Sequence, residues 1–142
     1  MNDDQLYELL IKNYLLLADG DRHFFSQFHT SQSRFFALVS INNNPGISLT
    51  ELSERLLCTK GNTTRILQGL EKEGFLIRET DKTDRRAYQL KLTESGQEMI
   101  EQLMYSYQSY NKDRFQEISK NEKEALSQLI SKINNFLEKQ TN

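Results

Sequence analysis

Lys60, Gly61, Asn62, Thr64, Arg65 and Gln68 recur at a spacing that places them along one side of a helix, and further on Arg85 and Arg86 stand side by side next to Asp84. These residue types suit recognition rather than bond-making. An arginine fork fits a phosphate or the O6/N7 edge of guanine, Asn and Gln amides fit adenine, and Thr meets a thymine methyl or a phosphate. Gly61 would let the backbone amides of a first helical turn approach an anion, with the helix dipole adding attraction. Two neighbouring arginines repel each other and make poor core residues. They suit a narrow groove, where negative potential is strongest, with one arginine inside it and the other on the backbone. Asp84 would orient one fork, so that less side-chain freedom is lost on docking. The competing account is a solvated helix face and an exposed Asp–Arg pair contributing at most about 1 kcal/mol.

Catalytic and metal chemistry find little support. His23 and His29 are the only histidines and Cys58 the only cysteine. No zinc-ligand spacing appears, and no nucleophile–base pair is in evidence. The sequence is therefore expected to be no enzyme and to need no cofactor. A lone cysteine makes no internal disulfide, the start MNDDQLYELL is acidic where an export signal would be basic, and no uncharged stretch is long enough to span a membrane. A cytoplasmic protein is expected.

Charge is distributed unevenly. The 142 residues carry a net charge of −2, 37% are apolar and 27% charged, which is ordinary usage for one globular domain. Between Thr59 and Lys91 eight Lys/Arg face five Asp/Glu, a balance of +3 that leaves −5 on the remainder. A locally basic segment in an acidic chain fits one face made for an anion.

The elements that must hold these side chains follow from periodicity and capping signals. Leu6, Leu9, Leu10, Tyr14 and Leu17 mark a first helix from about Asp3, which Asp19-Gly20-Asp21 could interrupt. Thr30-Ser31 can cap a second helix carrying Phe35, Leu38 and Val39, ending at NNNPG, residues 42–46. Ser48-Leu49-Thr50-Glu51 is a capping box opening a short helix with Leu49, Leu52 and Leu56 on one face. Leu57-Cys58 breaks it, Thr59 caps again, and Thr63, Ile66, Leu67 and Leu70 define the buried stripe of the next helix, closed by Gly74. Phe75-Leu76-Ile77 and the alternating residues 87–92 read as a hairpin with Arg85 and Arg86 in its polar connection. Thr93 caps a further helix, and Ser119-Lys120-Asn121-Glu122 is a second capping box opening the last. Two short helices followed by a hairpin is the layout of a winged helix-turn-helix, whose second helix can enter a DNA major groove while the hairpin lies in the adjoining minor groove.

The run ISLTELSERLLCTKGNTTRILQGLEKEGFLIRETDKTDRRAYQLKLTESGQ resembles the DNA-binding core of the MarR family of bacterial transcription regulators, without a gap over about fifty residues. The most specific match is Asp84-Arg85-Arg86, followed seven residues later by Thr93 and then by Gly96. Gly61 stands where a serine is common and Thr63 where an apolar residue is usual.

The resemblance implies a mainly α fold with a small β-hairpin wing: a winged helix-turn-helix core flanked by helices that form a dimerisation domain. Residues 1–30 would be the N-terminal dimerisation helix, 31–92 the DNA-binding region and 93–142 the C-terminal dimerisation helices. It implies a homodimer on pseudo-palindromic double-stranded DNA, a repressor released by a small effector. Lys60, Asn62, Thr64 and Arg65 match its reading helix, and Asp84 with Arg86 its wing Asp-x-Arg. An aromatic effector would lie in a cleft near His23, Phe24, Phe28, Phe35 and Phe36, residues that could equally be ordinary core. Two alternatives stay open: a winged-helix adaptor that binds protein rather than DNA, and a redox-responsive regulator using Cys58.

Overall fold

The structure, a computed structural model, describes residues 1–80 and 88–141. Among the described residues six helices and one hairpin follow in the order α1 (Asp3–Ser26), α2 (Gln32–Asn43), α3 (Leu49–Leu56), α4 (Lys60–Lys72), β1 (Leu76–Thr80), β2 (Tyr88–Leu92), α5 (Glu94–Arg114) and α6 (Lys120–Thr141). They divide into two compact units, Met1–Met104 and Tyr105–Asn142.

In the first unit every helix start obeys a local signal. Asn2 and Gln5 form a reciprocal capping box on α1. Ser31 accepts from the Arg34 amide, Ser48 from Glu51, Thr59 from Asn62 and Thr93 from Gly96. At Ser48 the serine half of the expected box is formed. The expected interruption of α1 at Asp19-Gly20-Asp21 is not found, and the helix runs unbroken to Ser26. A helical glycine costs only about 1 kcal/mol relative to alanine, and the neighbouring aspartates are engaged. Asp19 accepts from Arg22 at 3.0 Å, while buried Asp21 accepts from Gln32 at 2.7 Å and so ties α1 to α2.

The core gathers around α2. Leu38 and Ile41 meet Leu52 of α3, Leu67 and Leu70 of α4, Leu76 and Leu90 of the hairpin, and Ile100 of α5. The two strands pair antiparallel with Leu76 opposite Leu92 and Thr80 opposite Tyr88. Their base is fixed by Thr93, which donates from its amide to the Phe75 carbonyl and from its hydroxyl to the Gly74 carbonyl. Gly96 follows in close approach, because any Cβ there would run into the Phe75 carbonyl oxygen. Away from Asp21, Phe24 and Phe25, α1 is not buried within this unit, and Leu9, Leu15, Leu16 and Tyr14 stand exposed along it.

In the second unit α6 begins at a complete capping box. The Ser119 amide donates to the Glu122 carboxylate at 2.8 Å, and the Glu122 amide donates to the Ser119 hydroxyl at 3.2 Å. Leu126, Leu129, Ile130, Ile133 and Phe136 then form an apolar stripe of which no residue is buried.

Candidate nucleic-acid interface

Helix α4 sorts its side chains as its periodicity demands. Thr63, Leu67 and Leu70 are buried; Lys60, Gly61, Asn62, Arg65 and Gln68 are exposed and Thr64 is half-buried. One solvent-facing strip therefore carries two cations, two amides and a hydroxyl, with no acid ahead of Glu71. Thr63, the departure from an apolar position, has no exposed surface. Its hydroxyl reaches the Thr59 carbonyl at 3.0 Å and lies 3.0 Å from the Ser53 hydroxyl of α3. A polar side chain bonded on both sides can replace a methyl group at little cost, and it fixes α4 against α3. Between the two helices Leu57 adopts the left-handed conformation, φ 51°, that turns the chain.

The far end of α4 is held by charge. Arg34 of α2 forms an ion pair with Glu73, and its guanidinium lies over Gly69, where a Cβ would come within 2.7 Å of Nη2. Glu71 pairs with Arg78 of β1, whose guanidinium sits 4.8 Å from the centre of the Tyr88 ring on β2. Lys91 reaches Glu79 across the strands at 3.6 Å. Gly74, φ 82°, ends the helix and turns the chain into β1. Sequence reasoning missed Arg34, Arg78 and Tyr88. Arg34 and Glu73 are 39 positions apart, and no local pattern links such a pair.

Asp84, Arg85 and Arg86, expected at the tip of the wing, lie outside the described residues.

The aromatic residues named for an effector are divided. Phe24 and Phe35 are buried, with Phe25 between them at ring distances of 5.1 and 5.3 Å, and half-buried Phe28 is 5.2 Å from Phe24. His23 points to solvent, 3.8 Å from the Asp19 carboxylate. Phe36 lines a cavity of about 530 Å³ together with Gln32, Ser40, Arg55, Leu57 and Cys58. Cys58 is half-buried there, its thiol 3.4 Å from the Leu56 carbonyl. Among the described residues no three His, Cys, Asp or Glu side chains converge as a metal site, and no helix is long and apolar enough to cross a membrane.

Two short helices, the second presenting an acid-free polar strip, followed by a hairpin packed on its far end, define a winged helix-turn-helix protein. Residues 30–88 match the model of the MarR family. The transcriptional repressor MprA of Escherichia coli K12 is 31% identical over 124 residues, which are 86% of this chain and 65% of that one. A MarR protein from Peptoclostridium difficile superposes with a TM-score of 0.81 at 26% identity, over 99% of this chain and 91% of its own. Streptococcus pneumoniae FabT, solved in complex with DNA, shares the fold at a TM-score of 0.82 and 19% identity, over 98% and 99% of the two chains. The chain carries the segment that defines the MarR family of transcription regulators, and it is similar to a member of that family over nearly its whole length. It is a regulator and not an enzyme.

Proposed function

We propose that the protein binds a pseudo-palindromic duplex site as a homodimer and represses transcription in the cytoplasm until a small effector releases it. The observation that carries this reading is the exposed strip Lys60, Gly61, Asn62, Thr64, Arg65 and Gln68 on a helix anchored at both ends. On this reading Arg65 and the two amides read base edges and Lys60 meets phosphate. Arg85 and Arg86 enter or flank the minor groove, with Asp84 orienting one of them. Pairing of copies is supported by the apolar residues that α1 and α6 each leave exposed. Two reading helices about one DNA turn, roughly 34 Å, apart would match a two-fold site.

An effector then acts on spacing. A small molecule that binds better to the mis-spaced dimer shifts the population by its differential affinity and no more. The aromatic group around Phe24, Phe28 and Phe35, with Phe36 and His23 at its edge, is the place proposed for an aromatic effector.

The test is selection of duplexes from random-sequence DNA by the purified protein, followed by footprinting and affinity measurement across a salt series. A protected two-fold site is expected, with log K falling linearly in log salt. Arg65→Ala should weaken binding by about 1–3 kcal/mol and relax base preference at one position per half-site. Arg86→Ala should weaken it to a similar degree at unchanged melting temperature. Recovery of no duplex, even at low ionic strength, would leave the adaptor reading instead.

A further inference from the structure

We infer that Arg78 is a positioning residue that locks the wing to the reading helix, and that it does so through one guanidinium shared by three elements. This rests on the proposal that α4 and the hairpin grip DNA together. Arg78 lies opposite Leu90 in the strand register, on the face that buries Leu90 against the core, and Tyr88 occupies the same face two residues along β2. From that position Nε donates to the Glu71 carboxylate near the end of α4, while the guanidinium carbon lies over the Tyr88 ring, 4.8 Å from its centre. Neither partner is fully exposed: Arg78 and Glu71 keep 26% and 33% of their side-chain surface in solvent.

The pairing has two consequences for a surface that must meet an anion. It neutralises Glu71, the first acid along the reading strip of α4, so that the strip presents no net negative charge at its wing side. It also ties the strand on which Tyr88 stands, two residues after Arg86 in the sequence, to the helix that carries Arg65. A planar cation can hydrogen-bond a carboxylate through its edge while its face meets a ring. Lysine keeps the charge but has no plane to stack and no second donor in a fixed direction. The wing angle therefore depends on the shape of the Arg78 side chain as well as on its charge.

The experiment measures affinity for a duplex that the wild-type protein selects from random-sequence DNA, together with melting temperature. The variants are Tyr88→Phe, Tyr88→Ala, Arg78→Lys and the double change Arg78→Lys with Tyr88→Ala. Tyr88→Phe keeps the ring and should bind as the wild type does. Arg78→Lys and Tyr88→Ala should each weaken binding about tenfold, the size of one specific contact, at unchanged melting temperature. Because the two groups act as one device, the double variant should bind no more weakly than either single variant. Wild-type affinity in Arg78→Lys would reduce the residue to a charge and overturn the inference. So would additive losses, or losses that track a lowered melting temperature. If the wild type itself binds no duplex, the DNA reading falls and this inference with it; if the wild type binds and all variants bind equally, only this inference falls.

Discussion

Leu57 condenses the residue scale into one position. It is 93% exposed and holds a left-handed backbone, φ 51°, a conformation that costs an L-residue with a Cβ roughly 1–2 kcal/mol. Nothing in its side-chain burial offsets that cost, because the leucine touches water on nearly every side. The turn between α3 and α4 therefore constrains the backbone and leaves the side chain free. Leu57→Gly is expected to stabilise the protein by about 0.5–1 kcal/mol, the strain relieved less the extra freedom glycine has when unfolded. Equilibrium denaturation reads the difference directly. A loss of stability would mean that the leucine packs against something in the assembled molecule. Thr63 gives the opposite lesson, since a polar residue on the buried face of α4 is supported by two hydroxyl contacts, to Ser53 and to the Thr59 carbonyl.

At the scale of elements, α4 is held at its N-terminus by Thr59, in its first turn by Ser53 and at its end by Arg34 and Arg78. A helix held in this way presents its outer face in one orientation, which the proposed match to a groove requires. Helix α6 depends on local chemistry instead. The Ser119 amide and then its hydroxyl hold the Glu122 carboxyl below the ordinary value of 4.5. A group whose folded pKa is depressed lends its stability above the unfolded value and loses it as pH falls through the folded one. Acidification from neutrality to below the ordinary carboxylate range should therefore accelerate amide exchange in the first turn of α6 relative to the intrinsic rate, which itself falls in acid. In Glu122→Gln, which keeps an acceptor but does not titrate, that acceleration should be absent. An identical pH profile in the two proteins would remove the carboxylate from the account.

At the scale of the whole molecule, α1 and α6 each leave apolar residues in water, and on the proposed reading a second copy covers them. Leu15 and Leu16 of α1 are 57% and 63% exposed, and Leu129 and Phe136 of α6 are both 61% exposed. Patches of this kind on helices are covered when copies associate. A charge on the stripe should separate the copies: Leu129→Asp is expected to sediment as a monomer and to lose about a hundredfold or more in duplex affinity, as both half-sites can no longer be held at once. An unchanged sedimentation coefficient would exclude α6 from the contact. The wild-type melting temperature should rise with protein concentration, as it must when folding and association are coupled.

Helix order, the hairpin and the exposed polar strip of α4 were legible in the residues because each is set by a short-range rule. Ser31, Ser48, Thr59, Thr93 and Ser119 sit three residues before the amides they bond, and Thr63, Leu67 and Leu70 repeat at helical spacing. The aspartates at 19 and 21 misled for the same reason: read locally they break a helix, and only the bond from Gln32 to Asp21 across 11 positions shows why they do not. The pairs Arg34–Glu73 and Arg78–Glu71, the covering of Gly69, the seat of Gly96 against Phe75 and the share of Phe36 in a cavity came from the tertiary structure alone. Each joins groups whose meeting depends on how finished helices and strands pack, and packing follows from side-chain shapes and distances across the fold that no spacing along a single chain encodes.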